Sequence, residues 1–185
     1  VGQHGLFIHT GDRCLRFDPA TGELLAEFVL PKQPDGMPGT WGVIACVGDT
    51  LFGTLANTEH VVTYRFGRGD MQTQFTESNV LFALDARTGR HKWQYRAENS
   101  IRHNALAIGN GRVYLIDRPL AVGDRHLEKR RGTPDPGDVH PSGTLLALDA
   151  ADGHVLWKTG DAYGTVLALS EEHDVLVMCY QDWRF

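Results

Sequence analysis

The chain has 185 residues, 42% of them hydrophobic and 22% charged, with a formal net charge of −5. That length and balance describe an ordinary globular protein able to bury a core. The acidic surplus gives no basis for nucleic-acid binding through a basic surface, and no apolar run approaches the roughly 18 residues of a membrane-spanning helix.

In chain order, Phe17-Asp18-Pro19-Ala20-Thr21-Gly22 followed by Glu23-Leu24-Leu25-Ala26 is a worn copy of a motif that recurs twice, and residues 1–29 read as the later strands of one sheet. Val43–Val47 and Thr50–Leu55 flank Gly48-Asp49 and open a complete unit over 41–95, interrupted at 56–80. That unit closes on Ala83-Leu84-Asp85-Ala86-Arg87-Thr88-Gly89-Arg90-His91-Lys92-Trp93. Ala105–Ile108 and Arg112–Ile116 flank Asn110-Gly111, the pair that most readily supplies the positive φ angles of a two-residue hairpin turn. They open a second complete unit, 103–159, interrupted at 117–142 and closing on Ala147-Leu148-Asp149-Ala150-Ala151-Asp152-Gly153-His154-Val155-Leu156-Trp157. Thr165–Leu169 and Val175–Tyr180 form the opening hairpin of a further unit within 163–185.

The motif aspartates lie 67 and 64 positions apart, a fixed period that points to stacked like units. Asp18, Asp85 and Asp149 are suited to accept backbone N–H bonds inside a turn, and Gly22, Gly89 and Gly153 supply its positive-φ position. One acidic residue per turn makes a poor calcium cage, and the nine histidines show no ligand spacing on a strand, so no metal site is expected. Cys14, Cys46 and Cys179 are far apart in apolar stretches and read as buried small hydrophobes.

Two hairpins per unit make one four-stranded antiparallel sheet, and strands such as Val43-Ile44-Ala45-Cys46-Val47 are apolar on both faces. Sheets covered on both sides and stacked radially form a β-propeller. No stretch keeps a helical apolar period. The expected fold class is therefore all-β, with about three blades of a propeller present. The interruptions fall at matching places, on one rim, where loops carry binding functions. Within them, Arg125–Arg131 reads as a solvated basic stretch and Arg68-Gly69-Asp70 as a chance tripeptide.

The pattern Ala-x-Asp-x-x-Thr-Gly-x-x-x-Trp resembles the tryptophan-docking motif of PQQ-type, quinoprotein-like β-propeller repeats. This superfamily includes pyrroloquinoline-quinone-dependent alcohol dehydrogenases and the outer-membrane-protein assembly factor BamB, which has the fold without the cofactor. The stretch His103–Tyr114 is similar to the inner hairpin of such repeats. The resemblance implies that Trp93 and Trp157 pack against the neighbouring blade. The first unit has Ala26 at that offset, with Phe28 filling part of the space, which implies a looser first joint. It also implies a ring of about seven or eight blades, so the chain is expected to be a piece of a longer protein, or a protomer that closes with others. Val1 stands where a Met would, and no signal peptide is visible.

Aligned by their hairpin turns, Trp41-Gly42, His103-Asn104 and Tyr163-Gly164 begin the inner strands, with Arg102 beside them. In a propeller these positions line the funnel around the axis. Trp41, Arg102, His103, Asn104 and Tyr163 are thus the candidate pocket for a small molecule or peptide, the alternative being that they only pack the funnel wall. A quinone site would need an aromatic platform, an Arg at the quinone oxygens, carboxylates and an Asn around Ca²⁺, and an Asp base. That set is not recognisable in the sequence, nor is an adjacent Cys-Cys pair.

The expected function is a non-catalytic binding or scaffolding propeller of a larger bacterial protein, periplasmic or otherwise in the cell envelope, and without cofactor. Its expected partners are the remaining blades, of the same or another chain, and a protein or peptide. The first alternative is a segment of a PQQ-dependent alcohol or sugar dehydrogenase using PQQ with Ca²⁺. The second is a sensor or docking propeller attached to another enzyme domain.

Overall fold

The computed structural model describes residues 4–31, 39–63, 73–120 and 141–180. Every regular element among them is a β-strand. The first sheet joins β1 (Leu6–Thr10), β2 (Arg13–Phe17) and β3 (Leu24–Val29). A seven-stranded antiparallel sheet then contains, in chain order, β4 (Trp41–Val47), β5 (Thr50–Ala56), β8 (Glu77–Asp85), β9 (His91–Gly109), β10 (Arg112–Asp117), β11 (Gly143–Asp149) and β12 (Val155–Ala162). Between β5 and β8 a small hairpin is made by β6 (Val61–Thr63) and β7 (Thr73–Phe75), and β13 (Val166–Ser170) with β14 (Val175–Cys179) ends the order.

The hairpins follow from local chemistry. At Asn110-Gly111 both residues have positive φ, 49° and 71°, and register runs from Arg112↔Gly109 to Leu115↔Leu106. A two-residue turn of this hand matches the twist of the strands it joins. The turn after β4 takes its positive φ from Gly48 and brings Val47 opposite Thr50.

The seven-stranded sheet departs from separate four-stranded blades. β9 runs unbroken for 19 residues and belongs to two hairpin pairs at once. Its first part pairs with β8 from Leu84↔His91 to Glu77↔Arg102, and its second part pairs with β10. Residues 98–100, where it passes from one unit to the next, lend their N–H groups to Asp117: Glu98 N at 2.7 Å, Asn99 N at 2.9 Å and Ser100 N at 3.2 Å. A carboxylate that satisfies the N–H groups left without a ladder partner lets the strand cross over without ending. The sequence interruption at 56–80 includes the β6–β7 hairpin and the start of β8. Most of the one at 117–142, with Arg125–Arg131, lies outside the described residues, as do Arg68-Gly69-Asp70 and residues 181–185.

Three apolar clusters lie where consecutive units meet. Cys14, Phe28, Trp41, Leu51, Phe82, Leu84 and Ala86 form the first. Phe52, Leu81, Trp93, Ile101, Val113, Leu115 and Leu148 belong to the second, and Tyr114, Ile116, Ala147, Ala162 and Leu167 to the third. Strands apolar on both faces are the cause: in β8 and β10 successive residues are buried whichever way they point. The cysteines differ from expectation. Cys14 is buried, but Cys46 is half-buried and Cys179 is exposed, because β14 has an open face.

Candidate functional site

The three motif turns share one construction. Asp18 Oδ1 accepts from Ala20 N at 2.7 Å, and Gly22 N donates to Asp18 O at 2.8 Å. Asp85 Oδ1 accepts from Thr88 N at 2.8 Å and Thr88 Oγ1 at 2.7 Å, and Gly89 N reaches Asp85 O. Asp149 Oδ1 accepts from Ala151 N at 2.7 Å, with Gly153 N on Asp149 O. The Thr88 hydroxyl and then its N–H hold the Asp85 carboxyl down at about 2.

Each of two of these glycines lies under an aromatic ring from the preceding unit. A Cβ at Gly89 would stand 2.5 Å from Phe28 Cδ1, and one at Gly153 would stand 2.5 Å from Trp93 Cε3. Trp93 also donates Nε1–H to Ala150 O at 3.1 Å, and its ring lies 5.9 Å from Phe52. In the first seam, where Phe28 has no indole donor, Arg16 Nη1 donates instead to Ala86 O at 3.2 Å and Arg87 O at 2.9 Å. Trp157 is 43% exposed, touching Tyr114 at a ring separation of 6.1 Å, while Gly22 has nothing within 4 Å of its missing Cβ.

The candidate pocket residues are placed as follows. Trp41 is 2% exposed. It donates Nε1–H to Asp12 O at 3.1 Å and main-chain N–H to Gly11 O at 2.9 Å, edge-on to Phe82 at 5.1 Å. Gly53 makes room for it: a Cβ there would meet Trp41 Cζ3 at 2.5 Å and Phe82 Cε2 at 2.7 Å. Trp41 thus faces the first sheet's turn. Arg102 and His103 are half-buried, Asn104 is exposed, and Tyr163 stands 54% exposed between β12 and β13. Trp41 begins the strand at one end of the seven-stranded order, and Tyr163 follows the strand at the other.

What the structure gathers around His103 is a polar network. Ser78 Oγ lies 2.8 Å from His103 Nε2 and 2.9 Å from Thr54 Oγ1, which accepts Val43 N–H at 2.8 Å. A Cβ at Gly42 would stand 2.5 Å from Thr54 Oγ1 and 2.9 Å from His103 Nε2, so the main chain of β4 rests on the network. Burial pushes His103 down to about 4 despite the Glu77 carbonyl beside it, with the charges of His9 and Arg102 adding to the fall.

Next to it lies a buried group that sequence reasoning did not single out. Ser100 Oγ donates to Glu77 Oε2 at 2.9 Å, and Arg118 Nη2 is 4.0 Å from Glu77 Oε1, both charged side chains being 1% exposed. Tyr95 OH joins at Asp117 Oδ2, 3.3 Å away. Burial, and next the Asp117 charge, push the Tyr95 hydroxyl up. The available signal is charge bordering strands: Glu77 near the end of the first interruption and Asp117-Arg118 at the start of the second.

Asp149, Asp152 and His154 carry ligand-type atoms within 4.8 Å of one another at an accessible turn. Asp152 Oδ1 there accepts both His154 N at 3.0 Å and His154 Nδ1 at 2.6 Å, a pairing the turn itself explains. For a quinone with Ca²⁺, which needs several convergent oxygen ligands, the described residues do not fit. The groups meeting near the inner-strand starts are imidazole, hydroxyl and guanidinium, the Glu77 carboxylate faces Ser100 and Arg118, and Asp117 is taken up by N–H donors. No helix among the described residues is long and apolar enough to cross a membrane.

Several solved structures resemble this one. A europium-containing methanol dehydrogenase superimposes with a TM-score of 0.52 at 13% identity, over 86% of this chain and 23% of that one. A quinohemoprotein alcohol dehydrogenase from Pseudomonas putida HK5 gives 0.52 at 14% identity, over 90% and 28%. The computationally designed Ika4 protein gives 0.53 at 13% identity, over 97% and 87%. At such identities the likeness shows the fold, a β-propeller arrangement of antiparallel sheets, and this chain spans about a quarter of the length of the two dehydrogenases. No curated protein matches it. The family model described as outer membrane protein assembly factor BamB matches residues 11–178, and the chain belongs to that family.

Proposed function

We propose that this chain is a non-catalytic propeller module that binds or scaffolds protein as part of a larger bacterial envelope protein. The observation that carries this reading is the pair of open apolar faces at the ends of the sheet order. Leu24, Leu25 and Val29 are exposed on β3, and Val155, Leu156 and Trp157 on β12. Exposed apolar residues grouped on an outer strand support an interaction site there. The seams inside the chain indicate the kind of cover such a face takes: a like sheet presenting an Asp-x-x-Thr-Gly turn to the aromatic ring, from the same or another chain. The family's description as an assembly factor supports a protein partner and an envelope setting. The exposed Asn104, with Arg102 two residues before it, is the place for a peptide group.

A quinone-dependent dehydrogenase segment is the competing reading, and the donor set around His103 speaks against it. The test is dye reduction by the purified chain with added PQQ, Ca²⁺ and a series of alcohols and sugars. No saturable, cofactor-dependent oxidation is expected. Saturable turnover would overturn the non-catalytic assignment.

A further inference from the structure

Asn110-Gly111 is the one Asn-Gly pair in the sequence, and both residues are exposed at the tip of the β9–β10 hairpin. Besides forming its own turn, Asn110 fastens that hairpin to the next one. Its side-chain Nδ2 donates to Glu171 O at 3.1 Å and to Asp174 Oδ1 at 3.1 Å, and its main-chain N–H donates to Glu171 Oε2 at 3.3 Å. Gly109 lies flush against the same place, where a Cβ would stand 2.7 Å from Glu171 Cγ and 2.7 Å from Leu169 Cδ2. Arg112 Nη1 is 3.9 Å from Asp174 Oδ1. The tip of the β13–β14 hairpin is thus tied down by one side-chain amide, while Leu167 farther along β13 is anchored in the third apolar cluster.

We propose that Asn110 is a self-modification site, at which deamidation by water unfastens the tip of the β13–β14 hairpin irreversibly. The chemistry needs only this dipeptide and solvent. Gly111 N attacks Asn110 Cγ, a C–N bond forms, the bond to Nδ2 breaks, and the departing nitrogen takes the Gly111 proton and leaves as ammonia. The five-membered imide so formed then takes up water. Opening at Cγ leaves aspartate, and opening at the Asn110 main-chain carbonyl leaves isoaspartate. Glycine at 111 has no side chain to obstruct the approach, and asparagine is counted among the thermolabile residues.

The leaving nitrogen is the same Nδ2 that makes both side-chain bonds, so reaction waits for them to open and the docked hairpin shields the site. Once ammonia has left, the side chain has no donor for Glu171 O or Asp174. Aspartate instead sets a carboxylate against the Asp174 carboxylate, a like-charge contact. Isoaspartate adds a methylene to the main chain of a two-residue turn and displaces the Arg112↔Gly109 register as well. Neither product re-forms the clasp.

The experiment incubates the folded full chain beside the synthetic segment 103–112 in mildly alkaline buffer, followed by tryptic mass mapping with isoaspartate detection. Cleavage after Arg102 and Arg112 releases the same segment from the chain, with Asn104 as its internal control. Product is expected at Asn110 and not at Asn104, forming roughly twentyfold more slowly in the folded chain than in the segment, since two hydrogen bonds must open. Asp174→Gly removes one acceptor, suits the positive φ of 50° there, and should speed the reaction about fivefold. Asn110→Asp should raise amide hydrogen exchange at Ser170 and Val175 several-fold while leaving Tyr114–Ile116 unchanged. Reaction in the folded chain as fast as in the segment, or unaffected by Asp174→Gly, overturns the clasp. An Asn110 that stays intact in Asp174→Gly while the segment is consumed overturns the modification site. Exchange at Ser170 and Val175 that Asn110→Asp leaves unmoved, or raises equally in both hairpins, overturns the release.

Discussion

Gly153 and Gly22 occupy the same place in copies of one turn, with φ of +79° and +75°, yet their surroundings differ. Gly153 lies beneath Trp93, and Gly22 has open space around it. Alanine at either position must hold a left-handed backbone, which costs about 1–2 kcal/mol. At Gly153 the new methyl also forces the indole aside, so Gly153→Ala should cost about 3 kcal/mol in denaturant unfolding against about 1 kcal/mol for Gly22→Ala. Equal losses would show that the ring does not rest on the glycine. The aspartate of the middle turn can be tested by titration. Thr88→Ala removes the hydroxyl that chiefly holds the Asp85 carboxyl near 2, so its NMR midpoint should rise toward the usual carboxylate range. The carboxylate's favourable contribution, present above its ordinary pKa and lost as pH falls toward about 2, should then fade at a higher pH in the variant. An unmoved midpoint contradicts the hydrogen bond.

At the scale of elements, the contrast is between a closed seam and an open one. Trp93 is 6% exposed, so Trp93→Ala should cost roughly 3–5 kcal/mol, whereas Trp157→Ala should stay within about 1 kcal/mol in the isolated chain. A small loss at Trp93 removes the seam argument. The crossover of β9 makes a second test. Asn at position 117 keeps one acceptor but turns an NH₂ group toward backbone donors, so Asp117→Asn should cost about 3 kcal/mol and raise amide exchange at residues 98–100 first. Asp117 shows where sequence reading stops. The turns at Asn110-Gly111 and Asp85–Gly89 are written in local residues, and the strands beside them were legible for that reason. The run of β9 through residues 98–100 depends on a carboxylate 17 to 19 positions away, and neither periodicity nor turn chemistry encodes that partner. The same holds for the first seam. Phe28 and Arg16 together cover the turn where the motif's tryptophan is missing, and the arginine's contact at 70 positions' separation has no local signature.

Across the whole molecule, the repeat builds an arc of sheets in which each unit lends an aromatic ring to the next. Two rings are covered, Phe28 by the turn at Gly89 and Trp93 by the turn at Gly153, and Trp157 stays 43% exposed. The inner-strand starts, read from the sequence as one funnel pocket, are distributed in the structure between a seam residue, Trp41, a half-buried polar network at His103, and the exposed Asn104 and Tyr163. Residue type and spacing located these positions, but burial is a property of neighbouring sheets, which a single repeat does not specify. In the proposed function, the β12 end is a seam that takes a like sheet as its cover. Sedimentation of the purified chain over a range of concentrations tests it most directly, because copies are the only cover offered. The expected result is concentration-dependent association that Trp157→Glu abolishes while leaving the circular dichroism unchanged. Monomeric behaviour at every concentration, or association untouched by Trp157→Glu, would contradict it.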